Sequence, residues 1–98
     1  MALNEIMRLQ EEIDRIDDSL IELLKRRFYR SRKIGAIKRQ TAQPRLDPLR
    51  IQGQREQFAV RSQAAGLDAE LSRNLYSVII DQVILERLSE PPVENGDD

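Results

Sequence analysis

The sequence predicts an all-α fold of three helices per chain with a long first helix, and three observations carry that prediction. Apolar residues recur at intervals of three and four along most of the chain, the spacing of one helical face. The first proline is Pro44, so nothing interrupts the opening pattern for some ten turns. Two Phe, two Tyr and no Trp, with 40% hydrophobic and 34% charged residues, suit packed helices better than a sandwich or barrel.

The first helix is expected from Leu3 to about Arg39. Leu3, Ile6, Leu9, Ile13, Ile16, Leu20, Leu23, Leu24, Phe28, Ile34 and Ile37 form its stripe, and Gly35 is its only glycine. At ~1.5 Å per residue this helix is roughly 55 Å long, whereas a compact domain of about 100 residues has a radius of gyration near 13 Å. It therefore overhangs its own domain. Two short helices from the same chain cannot cover the whole stripe, so a second copy of the chain is expected to do so, giving a homodimer.

Thr41 to Leu46 breaks the pattern, and Asp47-Pro48 supplies an N-cap followed by proline at the first helical position. The second helix is expected from Pro48 to Ala64. Ile51, Phe58 and Ala59 are its best core candidates, and with Gly53 inside it should be the least stable element. Gly66-Leu67-Asp68 repeats the punctuation, Gly66 as the residue just past the helix end and Asp68 as the next N-cap. The third helix, Ala69 to Ser89, is apolar over most of its circumference and is expected at the centre. Residues 1–90 are read as one helical domain and 91–98, acidic and proline-bearing, as a disordered tail.

Sixteen basic and seventeen acidic residues leave a net charge of −1, so the overall balance calls for neither nucleic acid nor an anionic membrane. Cysteine and histidine are absent, which removes thiolate nucleophiles, imidazole acid–base chemistry and the usual zinc ligands, and no metal or cofactor is expected. No apolar run approaches the ~20 residues of a membrane span, and Met1 to Arg8 lack the pattern of a signal peptide. The expected compartment is the cytoplasm.

The residues that break the helical pattern are cations on the apolar side. Arg27 follows Leu20, Leu23 and Leu24 at helical offsets, and Lys38 comes eleven residues later, close to three turns. Their stems either snorkel past the core and pair with carboxylates, or line a pocket for an anion. Arg50 and the capping Asp47 sit at the start of the second helix, where backbone N–H groups and the helix dipole also favour anions. The remaining basic run, Lys25-Arg26, Arg30, Arg32 and Lys33, reads as a solvated face.

Glu12-Ile13-Asp14-Arg15-Ile16-Asp17, Leu20 through Arg27, and Ile34-Gly35-Ala36-Ile37-Lys38 together resemble the first helix of the AroQ-class chorismate mutases. The resemblance continues through Pro44 to Arg50, Gly66-Leu67-Asp68 and Asn74 to Ile80, and so covers nearly all of the chain except its tail. It implies an intertwined homodimer of three-helix chains with shared active sites, each long first helix spanning both subunits. The substrate it implies is a small dianion, chorismate or a close analogue such as 4-amino-4-deoxychorismate, undergoing a Claisen rearrangement without a cofactor. On this resemblance Arg27 grips a carboxylate, Lys38 contacts a carboxylate and the ether oxygen, Arg50 completes the cationic wall and Asp47 positions the ring hydroxyl.

Four positions depart from the family pattern. Gln10 stands where an arginine usually reaches into the partner's site, and Ile51 replaces a glutamate that accepts from the ring hydroxyl. Val83 occupies a position that is often small and polar, and Arg87 replaces a glutamine or glutamate facing the ether oxygen, where it is expected to act with Lys38 as a second catalytic donor that partly compensates for Gln10. Ile51 either packs the second helix or removes a hydrogen bond on which substrate discrimination depends. Aliphatic residues at its position also occur in isochorismate-pyruvate lyases and 4-amino-4-deoxychorismate mutases. Pyruvate elimination from isochorismate to give salicylate, and a catalytically silent binding or regulatory dimer, are therefore the competing readings.

Overall fold

Helix α1 spans Ala2–Gln40, α2 spans Pro48–Ala64 and α3 spans Ala69–Ser89 in a computed structural model that describes residues 1–89. The expected helices match these to within a residue at each end. The tail expected to be disordered, 91–98, lies outside the described residues. By its internal contacts the chain divides into two compact units, Met1–Ser31 and the residues from Arg32 onward, and α1 contributes to both.

In the first unit the helix carries its stripe on an open face. Leu3, Ile6, Leu9, Ile13, Ile16, Leu20 and Leu23 are all exposed in the single chain, while Leu24, Arg27 and Phe28 are half-buried. Local polar contacts are of the kind that hold a solvated helix, with Arg8 between Glu5 and Glu12 at 3.7 Å each.

In the second unit α2 and α3 pack against each other. Four residues join them, which makes neighbouring helices antiparallel. The pairing shows this directly. The Phe58 and Tyr76 rings lie 4.9 Å apart between centroids, Arg55 Nε donates to Ser77 Oγ at 2.8 Å, and Arg73 Nε bridges both carboxylate oxygens of Glu56 at 3.2 and 3.3 Å. The buried set consists of Ala59, Ser62, Ser72, Tyr76, Ile79, Ile80, Val83 and Arg87, together with Gly35 of α1. Small side chains at Ala59, Ser62 and Ser72 let helix backbones approach closely. On the α1 side of this unit, Arg32 Nη1 meets Glu86 Oε2 at 3.5 Å, an oxygen that Gln82 also holds at 3.2 Å.

The central position expected for α3 is only half realised in one chain. Tyr76, Ile79, Ile80 and Val83 are buried, but Leu71, Leu75, Val78, Leu85 and Leu88 remain exposed. A single neighbouring helix covers one side of a helix, and a second apolar side then needs another partner.

Caps close the helix ends at the two connections. Asp47 Oδ1 accepts from the Arg50 N–H at 3.2 Å, and Asp68 Oδ2 accepts from the Leu71 N–H at 2.8 Å. Past α2, Leu67 N–H reaches Ser62 O and Gly66 N–H reaches Gln63 O, a Schellman motif with Gly66 at φ +93°. Past α1 the same pair of bonds recurs, Gln43 N–H to Lys38 O at 2.8 Å and Ala42 N–H to Arg39 O at 3.3 Å. Here Ala42, not glycine, takes the left-handed conformation at φ +55°. Alanine in that region costs about 1–2 kcal/mol.

Candidate active site

Lys38 lies in the last turn of α1 with its side chain half-buried. Its backbone is held by the Schellman bond from Gln43, which fixes the point where the helix gives way to the loop 41–47. The other end of this loop is equally fixed. Asp47 is extended, at φ −125° and ψ 93°, and its carboxylate caps α2.

Arg50 and Ile51 follow on the first turn of α2, Arg50 exposed and Ile51 half-buried. The Arg50 amide is taken by Asp47 and the Ile51 amide donates to the Asp47 carbonyl at 3.0 Å. The backbone donors that a helix N-terminus offers an anion are thus partly used by the chain itself. The Arg50 side chain itself is exposed on this turn. Ile51 presents only aliphatic surface beside it.

On α3, Val83 and Arg87 are both buried, one turn apart on the same face. Arg87 Nη1 donates to the Arg45 carbonyl at 3.0 Å, and Arg45 Nη1 lies 3.5 Å from the Arg87 carbonyl. Two arginines 42 residues apart thus hold each other's backbones, one at the C-terminal end of α3 and one in the loop that carries Asp47.

Of the residues singled out in the sequence, the second unit holds Lys38, Asp47, Arg50, Ile51, Val83 and Arg87. Arg27, half-buried, and Gln10, exposed, belong to the first unit. Sequence reasoning missed Arg45. A loop residue has no periodicity to depart from, and its only signal was a cation between Pro44 and the cap at Asp47. Among the described residues, no three carboxylates come together as a metal site, and no helix is long and apolar enough to cross a membrane.

The family described as chorismate mutase type II matches residues 9–87, a span that begins within α1 and ends at Arg87. A 4-amino-4-deoxychorismate mutase from Streptomyces venezuelae is 31% identical over 80 residues, covering 82% of this chain and 78% of the relative. No solved structure matches. With an all-helical fold and a family match across most of its length, the chain belongs to the type II chorismate mutases and is a chorismate mutase-like isomerase.

Proposed function

We propose that the enzyme catalyses the Claisen rearrangement of 4-amino-4-deoxychorismate, or of a chorismate-like dianion whose ring substituent at C4 the pocket does not read through a carboxylate. The observation that carries this reading is Ile51. It stands half-buried one residue after Arg50, where an acceptor for a ring hydroxyl is expected in the family, and an aliphatic side chain cannot make that bond. The similarity to a protein named as a 4-amino-4-deoxychorismate mutase points the same way.

In this reading Arg27 and Arg50 hold the two carboxylates, and Lys38 donates to the ether oxygen as the C–O bond breaks and negative charge gathers there. Asp47 positions the ring substituent, largely through its backbone, and Val83 supplies apolar wall. The rearrangement makes one C–C bond and breaks one C–O bond within a single molecule. It needs no proton transfer or covalent intermediate, only confinement and placed charge. Gln10 is a weaker clamp than an arginine, so most of the binding charge comes from Arg27, Lys38 and Arg50.

A homodimer is part of the same proposal. The exposed stripe from Leu3 to Leu23 and the open side of α3 are apolar surfaces of the kind that a second copy buries. Offering the purified protein chorismate, isochorismate and 4-amino-4-deoxychorismate separately, then identifying each product, tests the substrate. The amino compound should be rearranged with the highest kcat/KM. Release of pyruvate and salicylate from isochorismate as the dominant reaction overturns the proposal in favour of a lyase.

A further inference from the structure

We infer that Arg87 is a positioning residue that sets substrate affinity through the loop 41–47, acting on Asp47 and Arg50 rather than on the reacting atoms. The inference rests on the mutase reading above for its kinetic readout, and on the Arg45–Arg87 exchange for its geometry.

Arg87 is 7% exposed as a residue, and a buried guanidinium is costly unless its N–H groups find acceptors. One acceptor it finds is the carbonyl of Arg45, at 3.0 Å, two residues before the N-cap of α2. The return contact, Arg45 Nη1 to the Arg87 carbonyl, brings a cation to a carbonyl in the last turn of α3, where helix carbonyls lack partners and the helix dipole is negative. The loop is thus tied at its middle to α3, between the Schellman bonds that end α1 and the Asp47 cap that starts α2. The packing of α2 on α3 sets the course of that helix, and the tie adds a fastening just ahead of its N-cap, where Asp47 and Arg50 sit. The charge at the breaking bond is then the task of Lys38.

Arg87→Met separates this role from direct catalysis, because it removes the guanidinium donors while keeping a long side chain, and it does not supply the amide donor that a glutamine would offer the ether oxygen. Wild-type turnover of one of the three substrates is established first, so a failure of the mutase reading is seen before any variant is compared. We expect Arg87→Met to raise KM about tenfold while kcat stays within threefold. Hydrogen exchange at the Arg50 and Ile51 amides should quicken about tenfold, with the Leu71 amide at the other N-cap unchanged. Arg45→Met, which removes only the return contact, should raise KM about threefold, and the double variant should show less than the product of the two effects. A fall in kcat of more than tenfold at unchanged KM assigns Arg87 to the reacting atoms and overturns the inference. Unchanged kinetics, or equal acceleration at both caps, overturns it as well. Should Arg87→Met fail to fold, the Arg45→Met kinetics and exchange decide in the same sense.

Discussion

The two aspartate caps offer a matched pair in which the same chemical change should have different functional results. Asp47→Ala removes a 3.2 Å bond to the Arg50 N–H, and Asp68→Ala removes a 2.8 Å bond to the Leu71 N–H. Each leaves one N-terminal amide without its side-chain acceptor, which costs about 1 kcal/mol. For a domain of this size that lowers Tm by roughly 4–8 °C, and the shorter bond at Asp68 should cost at least as much as that at Asp47. Only Asp47 holds a residue of the proposed site. If the loss of the cap passes wholly into the placement of Arg50, kcat/KM falls about fivefold, since ~1.4 kcal/mol corresponds to a factor of ten. A larger loss signals direct contact between Asp47 and substrate. Thermal unfolding followed by circular dichroism gives the stability of both variants, and initial rates well below Tm give their activity. Equal activity losses in the two variants would refute the argument, because global loosening would then account for both.

Lys38→Ala should lose more than a hundredfold in kcat with Tm changed by little, as expected for a donor aimed at developing charge, and retention of activity removes Lys38 from the mechanism. Ala42→Gly relieves a left-handed alanine at φ +55° while adding freedom to the unfolded chain, so a net gain of about 0.5–1 kcal/mol is expected in denaturant unfolding. Gly66→Ala makes the opposite change at φ +93°, where open space surrounds a new Cβ, and should cost about 1 kcal/mol through the backbone alone. Leu20→Asp, on the exposed stripe of α1, should convert a dimer to monomer in sedimentation analysis, and an unchanged mass shows that the stripe is not the interface.

What the sequence disclosed depends on the kind of signal each feature leaves. The three helices were legible because an unbroken 3-and-4 repeat, Asp47-Pro48 and Gly66-Leu67-Asp68 are local rules that the chain obeys without tertiary help. Ser62 and Ser72 were not, since a small hydroxyl carries no hydropathy signal and becomes part of the core only when α2 and α3 meet. Composition made α3 look central, yet composition does not say which faces one chain can cover, and Leu71, Val78 and Leu85 stay exposed. At the site, Arg27 and Lys38 stood out as cations on an apolar side. Arg87 stood out only as a departure from the family, and the direction of its guanidinium, toward Arg45, depends on a loop 42 residues away.

A rearrangement without covalent chemistry depends almost entirely on where its charges sit, because displacement of a donor or clamp by about 1 Å can cost a hundredfold in rate. That requirement gives the caps a meaning beyond stability. The loop between Lys38 and Asp47 is bounded by a Schellman motif on one side and an aspartate cap on the other, with the Arg45–Arg87 exchange between them. None of these contacts needs to touch substrate. Each holds backbone next to Lys38 or Arg50, and all of them survive substitution of the Lys38 or Arg50 side chain. The chain tolerates the costs of a left-handed Ala42 and a buried Arg87 at the two places where this loop is fastened. Strain and burial of charge persist in a fold where the surrounding structure holds them, and here the strain falls on Ala42 in this connection and the buried charge on the α3 residue that fastens it.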